Sequence, residues 1–273
     1  MEALRALGAL SEPPGPGTAR LAGALGLPCV PEAYEFTEAF VFQLYPYASV
    51  YLGPEGMMGG EARDRVAGFW RALGLQPPAE PDHLAVLLSL YATLAEQGEQ
   101  ARHALLWEHL LPWLAPYLAH MQEVGGRFYR PWATALADLL AAEAKAAGPP
   151  ALEPLHFRCA PSLPDPRTSG PGAFLAGLLS PARAGVILLR SDLVSAAQQL
   201  GAGARVAERS YVVRSLLAQD RASMLGWLAA EAARQAASHL AAPAELQPVA
   251  RWWHRRATTT ADLLHELATA AQA

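Results

Sequence analysis

The chain is poor in most features that mark an enzyme or a metalloprotein. Its two cysteines, Cys29 and Cys159, lie far apart and form neither a CxxC pair nor a zinc pattern. They read as buried free thiols in a reducing compartment. Charged residues make up only 17% of the 273 residues, and the net charge is −4. That balance is too apolar for a disordered chain and not basic enough for nucleic acid as a main partner. No run of about 18 uncharged apolar residues exists, so no membrane span is expected. The first residues, Met1 to Leu10, lack the charged start, apolar core and cleavage site of a secretory signal. A cytoplasmic location is the expectation. No GxGxxG, Walker-type loop, HExxH or GxSxG is present. Good strand segments are scarce as well; Val186 to Leu189 is the best and is short.

What the chain does have is helix. Hydrophobic residues make up 52%, arranged at three- and four-residue intervals between Gly/Pro clusters. The spacing predicts helices over about 4–10, 18–25, 32–44, 61–73 and 81–97. A bent or broken helix is expected over 99–120, near Pro112 and Pro116, and another helix over 128–146. Residues 45–60 carry Pro46, Gly53, Pro54, Gly56, Gly59 and Gly60 and read as a loop. Residues 149–172 are rich in proline and glycine and read as a linker or surface arm. Beyond them, helices are expected from Ser191 to Gly201, over 205–219 and 220–240 with Asp220 as a cap, and over about 260–271. Two features of this last region suggest functions, and both have plainer readings. The Leu216 to Asp220 junction has the look of a helix-turn-helix, but the following helix carries Met224, Leu225, Trp227 and Leu228, with Arg221 as the one base in its first turn. The cluster Arg251-Trp252-Trp253-His254-Arg255-Arg256 reads as packed tryptophans with arginines that are solvated or paired to Glu245 or Asp262.

The most informative stretch is Glu80-Pro81-Asp82-His83, followed by the apolar run Leu84 to Tyr91. Pro81 suits a first helical turn, where its missing N–H has no intrahelical partner to lose. Asp82 is then expected in that first turn, facing the positive end of the helix dipole. Asp82 and His83 do not make half of a catalytic triad, because adjacent helical residues point about 100° apart. Upstream stands Tyr45-Pro46-Tyr47-Ala48-Ser49-Val50-Tyr51, and downstream Trp107-Glu108-His109-Leu110-Leu111-Pro112-Trp113.

An aromatic PYxSVYL segment, a PDH helix start and an EHLLPW segment, in that order, resemble the TorD-like chaperones over about residues 34–145. The resemblance implies an all-α bundle and a non-enzymatic role in maturing molybdopterin-dependent oxidoreductases. It implies as partner the catalytic subunit of such an enzyme or its twin-arginine leader, with no cofactor and no metal. Carried over by motif, the candidate contacts are Pro81, Asp82 and His83, then Tyr47, Ser49 and Tyr51, then His109 and Trp113. Glu80 joins them by position. Trp70 is a candidate groove wall, although it shares a helical face with Phe69 and Val66 in a core-like pattern. Arginine suits such a site, since it pairs with carboxylates and stacks on aromatic faces. Two departures stand out: Ala48 holds the place of the family's usual acidic residue, and Leu84 to Leu94 carries no carboxylate.

The expected organisation is a TorD-like helical domain over 1–148, the linker or arm over 149–172 and an additional C-terminal helical region over 173–273. A homodimer is compatible with the sequence but not specified by it. The competing reading is a helical enzyme that binds a metal or a small molecule through the central histidines His83, His103, His109 and His120. The sequence gives no repeated Glu-x-x-His set in its favour.

Overall fold

A computed structural model describes residues 1–203 and 207–272. The fold is all-α, and no strand occurs among the described residues. By packing, the chain divides into two units. Unit 1 comprises Met1–Gly53, Met57–Cys159 and Pro243–Val249; unit 2 comprises Pro54–Gly56, Ala160–Ala242 and Ala250–Ala273.

Unit 1 contains α1 (Glu2–Ala9), α2 (Thr18–Ala24) and α3 (Ala33–Phe36), the last continuing as a π-helix over Thr37–Gln43. Next come α4 (Ala48–Leu52), α5 (Gly60–Ala72) and α6 (Leu84–Glu96). α7 (Ala101–Ala104) leads into a second π-helix, Leu105–Leu110, followed by α8 (Leu111–Val124), α9 (Gly126–Ala147) and the short α10 (Leu155–Cys159). α6 is the centre of this unit. Leu84, Leu87, Leu88, Leu90, Tyr91, Ala92 and Leu94 are all buried, so the helix is apolar nearly all round, as expected of one enclosed by others. α1 lies close against it because residue 8 is glycine: a Cβ there would meet Ala85 Cα at 3.2 Å and Leu88 Cβ at 3.3 Å.

α8 and α9 form an antiparallel pair whose turn needs Gly125. A Cβ at that position would sit 2.5 Å from the Met121 carbonyl oxygen. The expected break near Pro112 is a change of helix type. The π-helix ends at Leu110, and Pro112 falls in the first turn of α8, where its ring costs no hydrogen bond. Pro116 stays inside α8. The aromatic core is built from Phe40, Tyr129 and Trp132 in edge-on pairs. Trp132 donates its indole N–H to the Leu7 carbonyl at 2.9 Å. Both cysteines are free; Cys159 is exposed and Cys29 is half-buried, so neither is the buried thiol expected.

Unit 2 holds α11 (Pro166–Leu178), α12 (Pro181–Ala184), α13 (Arg190–Gln199), α14 (Arg209–Gln219), α15 (Arg221–Leu240) and most of α16 (Gln247–Gln272). α14 begins at Arg209; the expected start at Arg205 lies outside the described residues. Val186 to Leu189, the best strand candidate, is buried but finds no neighbouring strand. A side chain replaces the ladder. Gln235 accepts from the Ile187 N–H and donates to the Ile187 carbonyl, both at 3.0 Å, and Arg209 donates to the Leu188 carbonyl at 2.8 Å. Buried backbone polar groups need partners, and here α15 and α14 supply them. Asp220 caps α15 by accepting from the Ser223 N–H at 3.0 Å. α16 starts well before residue 260 and includes the arginine–tryptophan cluster. Trp252 and Trp253 are buried, and Arg256 lies over the Trp252 ring while donating to the carbonyls of Ala160 and Pro161.

Candidate functional site

The PYxSVYL and PDH segments are hydrogen-bonded to each other through their backbones. The Ala48 N–H donates to the Asp82 carbonyl at 3.0 Å, and the Leu84 N–H donates to the Pro46 carbonyl at 2.9 Å. Tyr47 and His83 form an isolated antiparallel bridge between them. The bridge claims the Asp82 carbonyl and the Leu84 N–H, so α6 starts at Leu84, three residues later than the proline implies. Pro81 and Asp82 therefore precede the helix, and His83 is its N-cap.

Asp82 has a different task from the one its sequence position implies. It is 2% exposed, and its carboxylate accepts the Ser49 N–H at 3.1 Å. Ser49 is in the first turn of α4, so Asp82 caps that helix from 33 residues away. This cap explains why a helix forms within the glycine- and proline-rich stretch expected to be loop. Ser49 is itself fully buried, and its hydroxyl oxygen accepts the Gly59 N–H at 3.1 Å.

His83 accepts the Ala85 N–H on Nδ1 at 3.2 Å, a bond that needs an unprotonated Nδ1. Burial pushes its pKa below the ordinary histidine value, against the pull of Glu12, then Glu80, then Asp82. The neutral ring meets Tyr47 edge-on, centroids 4.9 Å apart. The Tyr47 hydroxyl donates to exposed Glu80 at 3.0 Å, and its pKa is pushed up to about 12, first by burial and then by that bond. Tyr47 thus remains a donor throughout the physiological range.

The other candidates lie on the far side of α4 or beyond it. Tyr51 is buried, stacks on Trp113 with rings 10° from parallel, and donates to the Tyr45 carbonyl. Trp113 is fully buried and donates to the His109 carbonyl at 2.9 Å. Both are packing residues. The His109 ring meets Phe69 and His156, at 5.1 and 5.6 Å, not the Tyr47–His83 pair. Burial lowers the His109 pKa to about 4 and, with His109 and Arg65 adding to it, that of His156 to about 3. The second π-helix here holds the following chain segment through three consecutive residues. Trp107 donates to the Gly148 carbonyl, Glu108 accepts the Leu155 N–H, and His109 packs on His156.

Beside the Tyr47–Glu80–His83 cluster runs an open groove of about 440 Å³ along α6. One wall is Trp70, Leu75 and Pro78, from the end of α5 and the turn after it; the other is Ala85, Val86 and Leu90. Ser89 and Thr93 are neutral lining residues, and Glu12 stands at the edge of the groove. Trp70 is half-buried, and its indole N–H has no hydrogen-bond partner among the described residues. Of the candidates carried over from the motifs, the structure gathers Tyr47, Glu80, Pro81, Asp82 and His83, with Ser49 beneath them. Trp70 lines the adjoining groove. Glu12 and the α6 wall are contributions that sequence reading missed. Glu12 lies in a proline-rich turn 68 residues before Glu80, and only the tight seat of Gly8 on α6 brings it here. No group of three or more His, Cys, Asp or Glu side chains able to hold a metal occurs among the described residues.

The comparison that bears on this arrangement is with protein families. Residues 31–122 match the nitrate reductase delta subunit family. The match spans about a third of the chain and includes the PYxSVYL, PDH and EHLLPW segments. It supports the TorD-like resemblance, and this delta-subunit family is one of molybdoenzyme maturation chaperones that act with molybdoenzyme subunits. No curated protein matches the chain. Among the described residues, no helix is long and apolar enough to cross a membrane.

Proposed function

We propose that this chain is a cytoplasmic, non-enzymatic chaperone that binds the twin-arginine leader or the apo-form of a molybdopterin-dependent oxidoreductase and shields it until the cofactor is inserted. In this reading the TorD-like domain is residues 1–148, with 149–172 as a connecting arm and 173–273 as an added helical region. The observation that carries the proposal is the groove along α6, apolar on both walls, with Glu12 at its edge and with Pro78 and Ala85 in its lining, the two residues that bracket the segment carrying Glu80 and His83. An amphipathic helix laid in such a groove buries its leucines while its cationic residues reach carboxylates at the edge. Burying one leucine side chain contributes roughly 1.5–3 kcal/mol, so two or three leucines supply about 3–9 kcal/mol before the association and ordering costs, and micromolar binding also needs the charged contacts at the edge.

The roles of the motif residues follow from their geometry. Tyr47 and Glu80 are the half-buried and exposed groups able to touch a ligand. Asp82, Ser49 and Pro81 hold the α4–α6 junction that positions them, His83 starts the groove-forming helix, and Tyr51, Trp113 and His109 pack behind it. The test is titration of the full chain with a fluorescent synthetic twin-arginine leader, two adjacent arginines followed by a leucine-rich stretch. Leu75→Asp places a charge on an exposed part of the groove wall, 45% accessible, without touching the core. It is expected to weaken binding at least tenfold at an unchanged melting temperature. Wild-type affinity in that variant would place the ligand elsewhere.

A further inference from the structure

We propose that Glu12 is the residue that selects for arginine in the groove along α6, and that the occupant is an apolar helical peptide with an arginine side chain at the Glu12 end. This rests on the peptide-binding reading above and adds to it the carboxylate that reads the charge. Three carboxylates act on His83, and of these Glu12 is the one that lines the groove. Asp82 is buried and caps α4 through the Ser49 N–H; Glu80 accepts the Tyr47 hydroxyl. Glu12 is exposed, has no side-chain hydrogen-bond partner among the described residues, and lines the groove itself.

Of the three carboxylates, Glu12 exerts the largest pull on the His83 imidazole, ahead of Glu80 and Asp82, and it also reaches Tyr47. The rest of the groove is neutral: Trp70, Val86 and Leu90 offer apolar area, while Ser89 and Thr93 offer hydroxyls. A guanidinium fits this setting better than an ammonium. Its flat face can lie on the Trp70 indole and its fork can meet the Glu12 carboxylate, with the aliphatic stem along the α6 wall. Glu12 precedes the family match, which begins at residue 31. It supplies, from the N-terminal arm, a negative charge in a region where position 48 is alanine and Leu84 to Leu94 carries none.

The experiment compares two labelled peptides on the full chain by fluorescence anisotropy at low salt: the synthetic twin-arginine leader, and the same leader with citrulline at both arginines. Citrulline keeps shape and removes charge. The expected result is that Glu12→Gln weakens the arginine peptide about three- to fivefold, as suits a partly exposed ion pair, and leaves the citrulline peptide unchanged. Equal weakening of both peptides, or no change with either, overturns the role of Glu12 while the peptide-binding reading stands. Failure of the wild-type chain to bind either peptide overturns both.

Discussion

At the scale of single residues, buried polar groups carry the specificity of this fold. Asp82 is the clearest case, a carboxylate with 2% exposure whose hydrogen bond starts another helix. Removing it leaves the Ser49 N–H buried without its partner, and an unsatisfied buried group costs about 1–3 kcal/mol. Asp82→Ala is expected to lower unfolding free energy by that amount in urea titration, and an unchanged midpoint would show that the cap is dispensable. The His109–His156 pair makes a second residue-scale prediction. Both pKa values are depressed in the folded state, to about 4 and about 3, chiefly by burial. The unfolded chain therefore binds more protons below about pH 6.5, and stability is fully present above that value and declines as pH falls toward 4. Melting temperature should drop between pH 7.5 and pH 5, and His156→Phe should reduce the drop. The dyad's sequence gave no hint of this, because His156 lies 47 residues after His109 and outside every motif. By contrast, the pairing of the PYxSVYL and PDH segments was legible as a resemblance, while the reversal of Asp82's role was not. Propensity describes a residue's own helix and cannot say which distant backbone its side chain will reach.

At the scale of elements, amphipathic periodicity located the helices well and misjudged their ends wherever a tertiary contact intervened. α6 starts late because Pro46 and Ala48 claim its leading backbone groups; α4 exists because Asp82 caps it. Val186 to Leu189 has the β-branched apolar character of a strand, yet its hydrogen bonds go to a glutamine on α15. Gln235→Leu should therefore destabilise unit 2, by about 2–4 kcal/mol if both Ile187 groups lose their partners. Circular dichroism during thermal unfolding checks this, and a variant as stable as wild type would mean that the segment can find other partners. α16 extends over 247–259 as well, ahead of the start expected near residue 260. In the structure Pro248 falls in the first turn of α16, where a proline is tolerated.

At the scale of the whole chain, unit 1 is discontinuous. It is completed by Pro243–Val249, and Ala244–Leu246 packs on α9. A chain truncated after Cys159 loses that strip and should melt below the unit-1 transition of the full chain, with apolar surface of α9 exposed. An identical transition would show the strip to be peripheral. The fold class was legible from composition and periodicity alone, since helix-length apolar patterns dominate and strand patterns are nearly absent. The groove was not, because its walls come from α5, α6 and the turn after α1, segments whose adjacency no local pattern encodes. The central claim, that a client's leader lies along α6, is tested most directly by amide hydrogen exchange of the full chain with and without the twin-arginine leader peptide. Slowed exchange in the turn at 73–83 and the first turns of α6 is the expected result. Protection confined to other regions, or none at saturating peptide, would contradict it.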